Sequence, residues 1–166
     1  MQRILYWTVG LLAFGLIFGA AGQGVAQGNL RIGGSDSNFG HATLQGGFPQ
    51  DPHQVHVVSG GSLDASHMGL SGGCGGFVTR KPDFILHYNN AANFVRFFVR
   101  ASGDTTLVIN DAGGHWRCND DSSGLNPMVD IQNPPSGQYD IWVGSYEAGA
   151  NISGNLFITE LQSQHP

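Results

Sequence analysis

Charge is scarce in this sequence, and the balance is negative. Only 7 of the 166 residues are Lys or Arg, against 12 Asp or Glu, so the formal net charge is −5 at pH 7. Nucleic acids and anionic membranes attract proteins that present basic surfaces. The composition therefore argues against nucleic acid and against an anionic membrane surface as partners.

Cysteine is also rare, since Cys74 and Cys118 are the only two. No C-x-x-C pattern is present, which argues against a redox motif or a cysteine-rich zinc site. In an exported chain the two cysteines most simply form one disulfide. By the chain-entropy model, closing a loop of roughly 44 residues stabilises the fold by about 4 kcal/mol. A free, buried pair is the alternative.

A helical apolar repeat is lacking after the N-terminal region. Short apolar runs with period-2 alternation recur instead, separated by turns that draw on the 26 glycines. Examples are HQVHVVS from His53, NFVRFFVRA from Asn93 and QYDIWVG from Gln138. Several short strands with turn signals every eight to twelve residues are typical of a β-sandwich. We predict an all-β, antiparallel sandwich of about eight to ten strands.

The N-terminus is the one long apolar run. Arg3 is followed by a nearly uncharged segment from Ile4 to Ala21, and Gly24-Val25-Ala26 is a small-residue cleavage motif. This pattern predicts a signal peptide over residues 1–26, with an uncleaved membrane anchor as the alternative. We expect a flexible leader at 27–37, one β-sandwich domain at 38–161 and a frayed tail at 162–166. The protein would then be secreted, periplasmic or on the cell surface.

A hairpin is predicted between residues 104 and 121, with its turn at Asp111-Ala112-Gly113-Gly114. In the register that best matches apolar residues, Ile109 faces Trp116 and Leu107 faces Cys118, so these residues share one face. Asn110 would then lie opposite His115.

The open end of that hairpin carries acidic residues. The same register places Asp104 opposite Asp121, with Asp120 beside them. Facing carboxylates repel, and a bound calcium ion would resolve the repulsion because calcium takes several oxygen ligands. Asn119 and Asn126 would supply further oxygen. The alternative is that the acids are simply solvated.

Three aromatic side chains alternate with the predicted core residues, namely Trp142, Phe98 and Phe157. One face of each sheet in a two-sheet sandwich is exposed, so these rings would form a platform for an extracellular polymer or a peptide. Burial under loops or under another subunit is the alternative, and packing of Arg96 and Arg100 against Phe98 is a third possibility.

Several motifs resemble the bacterial pre-peptidase C-terminal domain. They are Asp104-Thr105-Thr106-Leu107-Val108-Ile109, Gly114-His115-Trp116, Asn119-Asp120-Asp121 and Ser136-Gly137-Gln138-Tyr139-Asp140-Ile141-Trp142-Val143-Gly144. Upstream pieces such as Gly47-Phe48-Pro49-Gln50-Asp51-Pro52 resemble a stand-alone exported branch of that family, and the resemblance covers roughly residues 38–160. It implies a jelly-roll-like β-sandwich, often accessory to secreted peptidases, sometimes calcium-binding, and in some members able to bind insoluble polymer. By this resemblance Asp104, Asp120 and Asp121 are the acidic positions of the motif.

Three functions follow as hypotheses. The first is a non-catalytic, calcium-stabilised module for binding or adhesion. The second is a structural subunit that assembles with like subunits through edge strands. The third is a small secreted serine hydrolase, since Gly69-Leu70-Ser71-Gly72-Gly73 matches G-x-S-x-G and His41, Asp51 and Ser71 could form a triad. The flanks of that stretch do not predict the strand–turn–helix context that a nucleophile elbow needs.

Overall fold

The computed structural model describes residues 29–166. The predicted signal peptide, residues 1–26, lies outside the described residues, as do the first two residues of the predicted leader. The described part of the chain is almost entirely strand and turn, and its helical content is one 3-10 turn at Ala65–His67. Among residues 29–166, no helix has the length and apolar character needed to span a bilayer.

Residues 29–166 form eleven strands in two sheets, which confirms the all-β sandwich. In chain order the strands are β1 (His41–Gln45), β2 (His53–Val58), β3 (Leu63–Asp64), β4 (Phe77–Val78), β5 (Phe84–Asn89), β6 (Phe94–Ala101), β7 (Thr105–Asn110), β8 (Trp116–Asn119), β9 (Met128–Gln132), β10 (Gly137–Ser145) and β11 (Ser153–Thr159). β3 and β4 have two residues each. The nine longer strands are the ones that period-2 alternation predicts.

The larger sheet is built around β10, which pairs antiparallel with β5, with β7 and, at its C-terminal end, with β4. β8 extends this sheet from β7, and β3 extends it from β4. At the opposite edge β1 pairs with β5 in parallel, so the expectation of purely antiparallel pairing is wrong there. A parallel pair needs a long crossover, and here the chain between β1 and β5 passes through β2 in the other sheet.

The smaller sheet has the order β2-β11-β6-β9, and all three of its pairings are antiparallel. Its inward residues alternate as the sequence predicts: Val95, Phe97 and Val99 of β6 are all 0% exposed. They pack against Leu107 and Ile109 of the larger sheet in one apolar core between the layers. Burial of apolar surface at roughly 25 cal/mol per Å² makes this core the main stabilising feature of the sandwich.

The register of the β7–β8 hairpin differs by one residue from the predicted one. Val108 pairs with Cys118 and Ile109 with Arg117, so the predicted pairings of Leu107 with Cys118 and of Ile109 with Trp116 are wrong. The backbone N–H of Asp111 also donates to the carbonyl of His115, at 2.9 Å, around a three-residue loop. A one-residue shift moves every side chain of a strand to the other face.

A side chain sets this turn. Oδ1 of Asp111 accepts the backbone N–H groups of Gly113 and His115, both at 2.9 Å. Gly114 follows with a φ of +80°, a conformation that favours glycine. The acceptor at Asp111 thus favours a three-residue loop, one residue shorter than the four-residue turn that apolar matching predicts.

Because of the shifted register, Trp116 and Cys118 face away from the main core and into a second apolar cluster. This outer cluster covers Val108 and Trp142 on the far face of the larger sheet, and Ala65, Cys74 and Val78 complete its buried part. Cys74 and Cys118 form the predicted disulfide, which ties the segment between β3 and β4 to β8. The larger sheet is therefore buried on both faces at this point.

The predicted leader is docked on the larger sheet. Gly33 donates its N–H to Oδ2 of Asp140 at 2.6 Å, and Gln138 donates from Nε2 to the carbonyl of Gly34 at 2.7 Å. Arg31 donates its N–H to the carbonyl of Arg80 at 2.8 Å. These hydrogen bonds place residues 31–34 against the larger sheet, within the segment that the sequence predicts to be a flexible leader.

The predicted frayed tail is likewise anchored. Nη1 of Arg96 donates to the carbonyls of Gln162 and Gln164 at 2.8 and 2.7 Å, and Arg100 donates to the carbonyl of His165 at 2.6 Å. Arg96 also forms a two-pronged ion pair with Asp130, at 2.6 and 2.7 Å. Arginine holds several acceptors in one plane, which allows a single side chain to join the tail to β9.

Candidate functional site

Acidic side chains gather where the β7–β8 hairpin opens. Asp104 immediately precedes β7, and Asp120 and Asp121 immediately follow β8. The ladder ends at Leu107 and Asn119, so the predicted direct pairing of Asp104 with Asp121 is not formed. Burial, and then the charges of Asp121, Asp120 and Glu147, raise the pKa of the Asp104 carboxyl. The charges of three further acids therefore reach Asp104 at this end of the sandwich, which we term the acidic end.

The Asp104 carboxylate is poorly satisfied. Its Oδ1 is buried and has no hydrogen-bond donor among the described residues. None of the four acids forms a salt bridge with any described cation. A buried, unsatisfied carboxylate oxygen beside other carboxylates is unfavourable, so this group would gain from a donor or a cation.

Glu147 was not predicted from the sequence. It lies two residues beyond the end of β10, and β10 pairs with β7 up to Ser145 opposite Thr105. The backbone N–H of Tyr146 then donates to the carbonyl of Asp104 at 3.2 Å. The same register continued by two residues would place Tyr146 opposite Asp104 and Glu147 opposite Gly103, next to Asp104 in the chain, but the sequence alone does not reveal which strand is paired with β7.

The two predicted amide ligands have structural roles. Oδ1 of Asn119 accepts the N–H of Met128 at 2.9 Å, and Oδ1 of Asn126 accepts the N–H of Ala101 at 2.9 Å. Together they fix the loop between β8 and β9 onto its neighbouring strands. Both amide oxygens are thus already engaged, and the expectation that they are calcium ligands finds no support in this arrangement.

The acidic side chains are not positioned in advance so that many of them could coordinate one metal ion directly. Within residues 29–166, no three His, Cys, Asp or Glu side chains are positioned to hold one metal ion together. Calcium also accepts backbone carbonyls and water as ligands. An ion at the acidic end would therefore use no more than two of these carboxylates in the present geometry.

Exposed apolar side chains flank the acidic end. Tyr146 is 55% exposed and Leu125 is 51% exposed. Each is connected to the acidic end through its backbone. The N–H of Thr105 donates to the carbonyl of Leu125 at 3.2 Å, and the N–H of Tyr146 donates to the carbonyl of Asp104. A solvent-facing tyrosine offers both a ring face and a hydroxyl to a ligand.

The three predicted platform aromatics are buried, so they cannot form an exposed binding surface in this conformation. Trp142 and Phe98 are 0% exposed and Phe157 is 7% exposed. Trp142 lies under the outer cluster, with the Trp116 ring 5.8 Å from its own. The physical reason is the shifted register, because it turns Trp116 and Cys118 onto the face where Trp142 lies.

On the smaller sheet, Phe98 and Phe157 stack with centroids 4.8 Å apart. The Arg100 guanidinium carbon lies 5.2 Å from one ring centroid and 5.1 Å from the other. Cation–π packing over apolar rings is a common use of arginine. The predicted packing against Phe98 is thus confirmed for Arg100, whereas the Arg96 guanidinium lies over Phe94, 5.5 Å from its ring centroid.

The residues of the hypothetical triad do not hydrogen-bond to one another in the described part of the chain. Asp51 accepts the Thr159 hydroxyl and, at 2.9 Å, the Glu160 N–H. His41 lies in β1, and Ser71 lies in a series of turns between the 3-10 turn and β4. The G-x-S-x-G stretch therefore lacks the strand–turn–helix geometry of a nucleophile elbow.

Comparison with known proteins adds no relative from which a role could be transferred. No family model matches this chain, and no curated protein matches its sequence. The resemblance to the pre-peptidase C-terminal domain rests on the motif residues alone.

Proposed function

We propose that this chain is an exported, non-catalytic β-sandwich that binds an extracellular polymer or peptide and is stabilised by calcium at its acidic end. The observation that carries the proposal is the crowding of Asp104 by three further carboxylates, with its Oδ1 unsatisfied. The disulfide is compatible with an oxidising compartment, where free calcium is also abundant enough for weak sites.

Two like charges 4 Å apart repel by about 1 kcal/mol in water and by about 4 kcal/mol near a protein surface. The charges of Asp121, Asp120 and Glu147 act on Asp104 with this sign, so they oppose ionisation of Asp104 in the folded protein when no cation is bound. A divalent ion would replace these repulsions with attractions, with backbone carbonyls and water completing its oxygen shell.

Tyr146 and Leu125 provide the ligand contact in this proposal. They replace the buried Trp142, Phe98 and Phe157 as the candidate contact residues. Because their backbones hydrogen-bond at Asp104 and Thr105, an ion that orders the acidic end would also order the loops that present them. Calcium would then influence binding without touching the ligand.

A calcium titration of the thermal midpoint tests the proposal. Calcium at 100 times its Kd would stabilise the protein by about 2.7 kcal/mol, which corresponds to a rise of roughly 10 °C for a domain of this size. We expect Asp121→Ala and Asp104→Asn to remove most of that rise. Asp36→Asn removes an exposed acid elsewhere and should keep it.

The stability of the same variants is also compared in the presence of a chelator. In excess EDTA, Asp104→Asn should be more stable than the unmodified protein because one of the repelling charges is gone. An unchanged midpoint across millimolar calcium, together with no gain from Asp104→Asn in EDTA, would refute the calcium site. Loss of polymer or peptide binding in Tyr146→Ala, at an unchanged midpoint, tests the contact surface.

A further inference from the structure

The second notable electrostatic feature is a cluster of cations on an acidic protein. Residues 29–166 contain six of the seven basic side chains and all twelve acidic ones. Three of those six, Arg31, Arg80 and Lys81, line one open depression of about 350 Å³, together with a single carboxylate, Asp36. We term this depression the basic depression.

The other three cations are fully engaged elsewhere. Arg96 pairs with Asp130 and holds the tail, Arg100 covers the Phe98–Phe157 stack, and Arg117 pairs with the buried Asp111 at 3.1 Å. By contrast, the exposed side chains of Arg31 and Arg80 have no hydrogen bond or ion pair within the described residues. Positive charge that the fold does not use is thus concentrated at one place.

The backbone beneath the basic depression is fixed. Arg31 and Arg80 are joined by the 2.8 Å hydrogen bond between their main chains. The Thr79 hydroxyl donates to the carbonyl of Lys81 at 2.7 Å and accepts from Asn38 at 3.0 Å. The main chains that carry Arg31 and Arg80 are therefore held together, and both side chains line the basic depression.

The one acid present does not neutralise the cluster. Lys81 pairs with Asp36 at 3.2 Å, and the Asp36 side chain is 68% exposed. Exposed ion pairs contribute roughly 0–1 kcal/mol, so an incoming anion can replace Asp36 at small cost. Arginine binds carboxylate and sulfate groups through paired hydrogen bonds.

We infer that the basic depression binds anionic groups carried by a polysaccharide. This inference rests on the proposed binding function and names its ligand class. The depression is open and lined by charged side chains without an apolar or aromatic anchor, and buried aromatic anchors are among the usual hot spots of peptide and protein interfaces. A hydrophilic chain with carboxylate or sulfate substituents matches such a lining.

The net charge of the protein restricts this ligand to a sparsely charged chain. Outside the basic depression the protein is acidic, so a densely charged membrane or nucleic acid would be repelled over most of its surface. Screening limits the attraction of the cluster to about 10 Å at 0.1 M salt. One anionic group, or a few spaced groups, can therefore bind at the basic depression although the protein as a whole is acidic, and this contact is separate from that of Tyr146 and Leu125.

Binding of lightly substituted carboxymethyl-dextran and dextran sulfate, with unmodified dextran as the neutral reference, tests the inference. The measurements use the purified protein in EDTA, which removes calcium bridges. We expect both anionic polymers to bind and dextran to bind at least about tenfold more weakly, a factor that corresponds to the loss of one modest ionic contact. Arg31→Gln/Arg80→Gln should weaken binding about tenfold or more, whereas Asp36→Asn should strengthen it. Arg100→Gln, which removes one cation elsewhere, should match the unmodified protein.

Three results would overturn the inference: equal binding by the double variant, equal affinity for free acetate or sulfate at matched charge concentration, or binding to anionic vesicles in place of the polymers. Thermal midpoints of all variants serve as the folding control. The calcium response is measured on separate aliquots of the same protein preparations. If the anionic polymers fail to bind while calcium still raises the thermal midpoint, only this inference is refuted. If the polymers bind and calcium leaves the midpoint unchanged, only the calcium site is refuted.

Discussion

Asp83 on the larger sheet accepts the backbone N–H of Val143 through Oδ2, at 2.8 Å, inside the protein. The Asp83 side chain is 1% exposed, and Asn38 donates to its other oxygen at 2.8 Å. Burial raises the pKa of this carboxyl to about 6, although the hydrogen bonds from Asn38 and Val143 oppose the shift. Asp83 is therefore a buried acid that titrates close to neutral pH.

The Asp83 pKa predicts a pH-dependent stability. A raised folded-state pKa means that the folded protein binds the proton more tightly than the unfolded chain. The resulting stabilisation is complete below the unfolded pKa of about 4 and is lost as the pH rises through about 6. We expect this group to lower the free energy of unfolding by about 1 kcal/mol between pH 5 and pH 7.5.

Urea unfolding at the two pH values measures this difference, and Asp83→Asn should remove it. The exposed Asp36→Asn variant is the control and should retain it. An Asp83→Asn protein whose stability changes with pH as much as that of the unmodified chain would contradict the assignment.

The disulfide predicts a loss of both stability and burial on its removal. Replacing Cys74 and Cys118 by alanine together should cost about 4 kcal/mol by the chain-entropy model for a loop of this length. It should also loosen the segment that covers Trp142. Iodide should therefore quench the tryptophan fluorescence of the folded variant more strongly than that of the unmodified protein. A stability loss below about 1 kcal/mol with unchanged quenching would show that the outer cluster holds without the bond.

The stability of the hairpin turn should be sensitive to substitution of Asp111. Burial alone would raise its pKa, but hydrogen bonds from the His115 N–H, from Arg117 and from the Gly113 N–H outweigh burial and lower it. Asp111→Ala leaves three donors without their acceptor and should cost about 3 kcal/mol, whereas Asp111→Asn, which keeps one acceptor oxygen, should cost roughly half as much.

The lowered pKa of Asp111 also gives the sign of its pH dependence. Its stabilisation is present above the unfolded pKa of about 4 and is lost as the pH falls through the lower folded value. Urea midpoints measured from pH 5 downward should therefore converge for the unmodified protein and Asp111→Ala. Equal stability of the two proteins at pH 7 would contradict the role of Asp111.

The anchoring of the C-terminal tail should depend on Arg96. Arg96→Lys keeps the charge but loses the planar fork, so one ammonium group cannot serve Asp130 and two tail carbonyls equally. We expect a loss of about 1–3 kcal/mol and faster trimming of residues 162–166 by carboxypeptidase. Arg117→Lys is the control, because Arg117 does not contact the tail. Equal trimming rates for Arg96→Lys and the unmodified protein would contradict the anchoring.

Local sequence patterns identify most of the strands, because alternation in stretches such as residues 94–101 directly reflects which side chains enter the core. The two cysteines likewise allow one pairing only. Asp104, Asp120 and Asp121 come together because a hairpin must join the ends of its own strands. Arg31 and Arg80 are different, since they are 49 positions apart in the sequence and nothing in either local pattern links them.

By itself, the sequence determined the class of fold, the strands that build it, the disulfide and the acidic end, since each depends on short-range alternation or on composition. The tertiary structure decided the hairpin register, and therefore that Trp142 is covered and that Asn119 and Asn126 brace a loop. It also decided that the leader brings Arg31 to Arg80 and that Glu147 joins Asp104. These outcomes depend on which segments meet in space, where a single buried acceptor such as Asp111 can outweigh an apolar match along one strand.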